Sequence, residues 1–406
     1  MPDRATITRA RWIIRAEAPP IADGALVAAG GRIVRIGPWR TVEPHVSPSD
    51  TVEHFPDSAI LPGFVNAHTH LGLTDMAGRF KPTANFPAWI GRLTARLMLR
   101  SGGAARRAVA EGRDQSLAAG TVAGADVAHD PAATEPLDEA PGRWTVFGEV
   151  FGFGKAGLVR LGETVAALEA RTRSGGVAVG LAPHAPYSTG PAVYLAVRRE
   201  ADACGWPITT HLHETTDEIA FTERGEGPFY EWMRRLRVLP ADWRPAGVRP
   251  IPALAEAGFF AGPVVAAHGN DLTDEEIGVL ARSGSTVVYC PRSHAFFGRR
   301  DHPWRRLRAA GAGVALGTDS LASCPSLSML DEVRFLMARE PDADPQTILA
   351  MATVGGARAL GLADRLGEVR EGLSAEGCLV GPLPETDEPL RAILSGEGDL
   401  IRVLGR

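Results

Sequence analysis

The chain has 406 residues, with 45% apolar and 22% charged side chains, enough for one large α/β domain of about 250 residues plus a smaller attachment. Its formal net charge of −5 gives no basic footprint for nucleic acid or an anionic membrane, and no apolar run approaches the ~20 residues that span a bilayer. The opening MPDRATITRARWIIRAE lacks a secretory apolar core, and Cys204, Cys290, Cys324 and Cys378 are scattered without a CxxC pair, so a cytoplasmic protein with reduced thiols is expected.

Residues 5–59 read as short strands punctuated by Gly-Gly and Pro: ATITRARWIIRAE, GALVAAGGRIVRIGP and TVEHF. Eight short apolar runs follow, at 60–66, 121–128, 144–151, 177–183, 207–213, 263–268, 285–291 and 313–319. Between them lie stretches such as PAVYLAVRREADACG and DEEIGVLARSG, with apolar residues three and four apart and a glycine stop. Eight strands alternating with helices predict the α/β class and a (β/α)8 barrel. A doubly wound sheet is the alternative, but it usually opens with a glycine-rich phosphate turn. Here the first strand opens into histidines. Residues 367–406 return to β segments with turn punctuation, which could pair with the N-terminal ones. The expected division is 1–59 plus 362–406 for a β-sandwich and 60–361 for the barrel.

Polar residues gather at the C-terminal ends of these runs, the face where parallel barrels build their sites. His68 and His70 end the first, His184 follows the fourth, and His211 and His213 end the fifth. His268 ends the sixth and Asp319 the eighth. Residues i and i+2 of a strand share a face, so His68 and His70 can approach one metal ion, and imidazole and carboxylate both suit zinc or iron. Each residue alone has a plain alternative: a hydrogen-bonded buried imidazole, or, for Asp319 in LGTDS, a helix N-cap. His211 and Glu214 would face one mouth if the chain turns after His211, which leaves His213 ambiguous. Together the residues form a pattern that chance does not readily supply.

LPGFVNAHTHL, HLHET, AAHGN and LGTDS, in that order and spacing, resemble the amidohydrolase superfamily, and within it the cytosine/guanine deaminase and chlorohydrolase-like branch. GRIVRIG, ATVGGARALGL and GEVREGLSAEG occupy the family's usual places, so the resemblance covers nearly the whole chain. It implies a distorted (β/α)8 TIM barrel with a small β-sandwich formed from both termini. It also implies that His68, His70, His211 and Asp319 bind one divalent metal ion, zinc first, with Fe2+ or Mn2+ as alternatives. Glu214 would be the proton shuttle, His268 would orient the reacting water, and Asp319 could also accept its proton. Two-metal branches carry a lysine on the fourth strand. VAVGLAPHAPYS has none, and Lys155 falls in the loop after the third, so one metal is expected. Two motifs depart from the family. Cys290-Pro291-Arg292-Ser293-His294 stands for Asn-Pro-x-Ser-Asn, and Gly372-Leu373-Ser374-Ala375-Glu376 stands for Gly-x-x-Ala-Asp.

Substrate contacts are expected from Trp89, His184, Arg292 and His294. Trp89 also continues a helical stripe with Ile90, Leu93 and Leu97, and Arg292 could instead pair with Asp301 or Glu332. The expected activity is hydrolytic deamination of an aminopurine or adenine-type nucleoside. Arg292 and His294 point toward an acidic tail, as in aminofutalosine. Hydrolysis of a cyclic amide or triazine is the alternative, and a non-catalytic binding barrel a third, disfavoured because every ligand candidate is present. The expected partner is a small molecule, with neither nucleic acid nor membrane, and the family resemblance suggests a homodimer.

Overall fold

The strands of the computed structural model, which describes residues 4–100, 103–173 and 177–405, fall into three sheets. The N-terminal strands are β1 (Thr6–Ile13), β2 (Ile21–Ala29), β3 (Arg32–Pro38) and β4 (Thr51–Pro62). Next come β5 (Phe64–Thr69), β6 (Thr121–Ala128), β7 (Arg143–Val150) and β8 (Ala178–Pro183). They are followed by β9 (Thr209–Leu212), β10 (Val265–His268), β11 (Thr286–Tyr289) and β12 (Gly313–Leu316). The C-terminal pair is β13 (Gly377–Gly381) and β14 (Asp399–Leu404).

Chain contacts divide the molecule into two compact units: Met1–Ala67 with Gln115–Ala123 and Ser328–Arg406, and His68–Asp114 with Gly124–Leu327. In the first unit, strands from both termini form one six-stranded sheet in the order β14-β13-β4-β1-β2-β3. β1 pairs antiparallel with β2 and parallel with β4, while β13 is antiparallel to β4 and β14. The β2–β3 hairpin closes on Gly30 and Gly31, both at positive φ (55° and 72°), the two-residue geometry that glycine adopts without steric cost. Ala10, Ile13, Leu26, Ile33, Ile60 and Leu379 pack beneath this sheet as its core.

Two four-stranded sheets run in the orders β5-β6-β7-β8 and β12-β11-β10-β9. Every pairing in the second is parallel, as is β7–β8. Isolated parallel bridges join Leu181 to Ile208 and Thr69 to Asp319. All eight residues of β6 are buried, the signature of a strand covered on both faces. The helix Pro191–Cys204 stops at Gly205 in the left-handed region, and Asp274–Arg282 starts on a Thr273/Glu276 capping box. Among the described residues no helix is long and apolar enough to cross a membrane.

One expected strand is divided. The run 60–66 breaks at Gly63, so that Ile60 and Leu61 belong to β4 and the histidine pair to the end of β5. A Cβ on Gly63 would lie 2.4 Å from Val122 Cγ1, so only glycine permits this approach. Gly317, just past β12, is tighter in consequence. A Cβ there would meet the backbone O and N of His68 at 2.8 and 3.0 Å, and backbone cannot move aside cheaply. Gly317→Ala should therefore destabilise the protein by about 1–3 kcal/mol, read from the midpoint of urea unfolding; an unchanged midpoint would show that this approach is slack.

Candidate active site

The ends of the second unit's strands bring His68, His70, His211, Glu214, His268 and Asp319 together. His68 and His211 sit within β5 and β9, and His70 follows β5 by one residue. Their rings form a tight cluster: His68 lies 5.0 Å from His70 and 4.9 Å from His211, both edge-on, and His70 stacks on His211 at 5.2 Å. Asp319 Oδ1 is 3.9 Å from His68 Nε2 and 3.8 Å from His70 Nε2. Glu214 Oε1 lies 3.6 Å from His268 Nε2.

The backbone is unusual at these ends. His213, His268 and Asp319 have φ of 52°, 75° and 60°, a region that costs a side-chain-bearing residue about 1–3 kcal/mol. Surrounding bonds hold them there. Asn270 N donates to His213 O (3.0 Å), Asp319 N to His68 O (3.1 Å), and His302 Nε2 to His268 O (2.7 Å). The turn at His213 breaks strand alternation, which separates it from His211. His213 is fully buried, its Nδ1 on Asp271 O at 3.1 Å and its Nε2 3.6 Å from Glu276. His211, not His213, joins the cluster.

The ring nitrogens report what the cluster can hold. His211 Nδ1 donates to His184 O at 2.9 Å, and the His70 ring bonds the Val127 carbonyl, so both Nε2 atoms carry lone pairs. Those two atoms face each other at 3.1 Å. A proton could separate them only by charging an imidazole, and burial lowers the pKa of His68, His70 and His211. A cation suits the lone pairs instead. His68, His70 and His211 place one donor atom each within 4.8 Å of one another, as do Glu214, His268 and Asp319, and three imidazoles with carboxylate match a zinc, iron or manganese donor set. The residues fit a divalent metal ion.

The two carboxyls beside the cluster are driven apart. Burial pushes Asp319 up, but His268, His70 and the Ser293 hydrogen bond outweigh it and hold Asp319 below its ordinary value. For Glu214 burial comes first and the Asp319 charge adds to it, raising its carboxyl well above the usual range. The same pocket thus shifts two neighbouring carboxyls in opposite directions. Burial brings His268 down to about 3, so its ring is neutral.

A cavity of about 670 Å³ opens on this cluster. Trp89 and His184 line it. Trp89 does so while packing edge-on against Phe297 at 5.0 Å and Phe80 at 5.8 Å, so the helical stripe and the cavity wall are the same surface. Arg292 and His294 are not among the residues that line the cavity. The helix Pro291–Phe296 turns Arg292 onto Ser326, with bonds of 2.8 Å to its Oγ and its carbonyl. His294 packs edge-on against Tyr289. The residue of that segment which reaches the site is Ser293, whose Oγ donates to Asp319 Oδ2 at 2.7 Å, joined by Ser323 Oγ at 3.0 Å.

Sequence reasoning also passed over Glu149, His129 and Asp126, all on the cavity wall. Glu149 Oε2 accepts from His129 Nδ1 at 3.0 Å. Burial pushes Glu149 up, but His184 and His129 together hold it below the ordinary range. Asp126 takes the Leu71 N–H at 2.7 Å, and burial raises it to about 7. The available signal was a lone carboxylate inside each of the apolar runs TVAGADVA and WTVFGEVF.

The sequence pattern of the amidohydrolase family matches residues 59–393. The chain belongs to the amidohydrolase family. This amidohydrolase is 28% identical over 382 residues to the 5-methylthioadenosine/S-adenosylhomocysteine deaminase of Moorella thermoacetica, covering 91% of this chain and 83% of that protein. It is 36% identical over 201 residues to the protein of that name from Thermococcus sibiricus, covering 48% of this chain and less than half, 42%, of the relative's length. A zinc-bound crystal structure of an adenosine deaminase from Xanthomonas campestris superposes with a TM-score of 0.82 at 26% identity, over 99% of this chain and 92% of that one.

Because Ser293 aims the Asp319 carboxylate, Ser293→Ala should weaken retention of a divalent metal ion by about 10–100-fold. Competition with a chromogenic chelator measures this, and an ion held as tightly as by the parent protein would refute the role.

Proposed function

We propose that this amidohydrolase is a hydrolytic deaminase that releases ammonia from an aminopurine or adenine-type nucleoside. The observation that carries the reading is the meeting of two imidazole nitrogens at 3.1 Å beside the Glu214 carboxyl, which burial raises well above its ordinary range, at the inner end of an organic-sized cavity. In this reading His68, His70, His211 and Asp319 hold one divalent metal ion, zinc first. When bound, such an ion supplies Lewis acidity that draws the pKa of water toward 7. Glu214 gives a proton to the ring nitrogen, accepts one from the attacking water and passes it to the leaving amine, and takes back the remaining hydroxyl proton as the ring carbonyl forms. His268, neutral and 3.6 Å from Glu214, steadies the oxygen that adds to the ring carbon. The balance is substrate amine plus water giving ring carbonyl plus ammonia.

The same reading takes β5 to β12 as one closed (β/α)8 barrel. The parallel sheet β12-β11-β10-β9, the parallel β7–β8 pair and the bridges Leu181–Ile208 and Thr69–Asp319 support that closure. The terminal β-sandwich would take 1–59 and 362–406 and the barrel 60–361. An acidic substrate tail is not carried forward. Arg292 is bonded to Ser326, and Arg100, the arginine on the cavity wall, is held by Asp75 at 2.5 and 3.1 Å and by Gly72 O at 2.7 Å.

Ammonia release from the zinc-loaded protein tests the reading on adenosine, 5-methylthioadenosine, S-adenosylhomocysteine, aminofutalosine, guanine and cytosine. At least one adenine-type nucleoside should be turned over. Silence across the panel removes the deaminase, and hydrolysis without ammonia loss would point to the cyclic-amide alternative. Glu214→Gln should lower kcat by about 10²–10⁴-fold with zinc near one equivalent; full turnover in that variant would take Glu214 out of the proton path.

A further inference from the structure

The cavity wall carries an acceptor that the histidine cluster does not use. Glu149, at the end of β7, is 8% exposed and lines the cavity together with His129 and His184. Its Oε2 accepts from His129 Nδ1. Its Oε1 stands 3.8 Å from His184 Nε2, beyond hydrogen-bond range, and accepts no hydrogen bond among the described residues. Both residues line the cavity, so this oxygen is open to a donor group brought by a ligand.

The chemistry of the gap narrows what that group can be. A carboxylate oxygen only accepts, whereas an imidazole nitrogen donates or accepts according to its tautomer. His184 Nδ1 is already engaged by Ser188 Oγ at 2.5 Å, which leaves Nε2 facing the gap. A hydroxyl serves both sides: it donates to Glu149 and does either for His184. A cation is not called for. His129 already donates into the carboxylate, and Arg160 stands behind it, its Nη2 on the His129 carbonyl at 2.8 Å. The His184 ring lies 5.0 Å from the His211 ring, so a group bound here is carried by the same molecule whose ring meets the cluster.

We propose that Glu149 Oε1 and His184 Nε2 form a hydroxyl-binding subsite that takes the vicinal diol of a ribonucleoside. This rests on the deaminase reading and adds that sugar hydroxyls, not the base alone, select the substrate.

The test compares adenosine with 2′,3′-dideoxyadenosine on the zinc-loaded parent protein, E149Q and, should E149Q fail to fold, H184N. The parent should favour adenosine by about ten- to a hundredfold in kcat/KM, the worth of a hydrogen bond to a charged group. The variant, matched in zinc content and melting temperature, should bring that ratio to within about threefold. A parent ratio near one, or a variant ratio as large as the parent's, overturns the subsite. Equilibrium binding of the same two nucleosides separates this proposal from the reaction. Tighter binding of adenosine without ammonia release removes the deaminase and keeps the subsite, whereas equal or undetectable binding of the two removes the subsite.

Discussion

Two imidazole nitrogens, His70 Nε2 and His211 Nε2, face each other at 3.1 Å with their lone pairs opposed, and much of the second unit is arranged to keep them there. Each ring is fixed from behind by a backbone carbonyl, Val127 for one and His184 for the other. A ring held in that way cannot swing its lone pair toward solvent. Left alone, the pair would repel, and burial opposes the proton that would relieve it. The arrangement is therefore stable in the company of a cation, and the neighbouring Asp319 carboxylate completes a donor set that such an ion accepts.

The same constraint explains the backbone around it. Six side chains from four strand ends must aim at a space a few ångströms across, which regular strands do not allow. His213, His268 and Asp319 leave the strand region for positive φ, and Gly317 lets the chain after β12 pass against His68. Hydrogen bonds such as that of His302 to the His268 carbonyl offset the strain. Glu214 and Asp319 illustrate a second effect: one buried pocket raises one carboxyl and lowers the other, because the imidazoles and Ser293 stabilise the Asp319 anion.

The cavity above the cluster has two kinds of wall. Phe86, Trp89, Ile90 and Leu93 come from the helix Phe86–Met98, and the polar wall comes from Glu149, His129 and His184. A flat ring with a hydroxylated appendage matches such a division better than an acidic tail does, since the arginines nearby are already paired within the protein.

His68, His70, His211, Glu214, His268 and Asp319 were legible in the linear sequence because each ends an apolar run. Strand alternation and position at a strand's end are local properties, readable over a few residues, and so were the eight runs themselves. Ser293 was not legible as a partner of Asp319. The two are 26 residues apart, and only the folded chain sets Oγ at 2.7 Å from the carboxylate. The placement of Arg292 has a related cause: a short helix sets which of three adjacent polar side chains meets Asp319, and that residue is Ser293. Glu149 stood in plain view in WTVFGEVF but has meaning only through His129 and His184, on other strand ends. The sequence by itself determined the donor types and the strand ends that carry them, because those follow from composition and a period of two. Which nitrogens meet, which carboxyl is raised and which lowered, and which acceptor faces the cavity were decided by tertiary structure, since hydrogen-bond geometry and burial exist only between segments brought together.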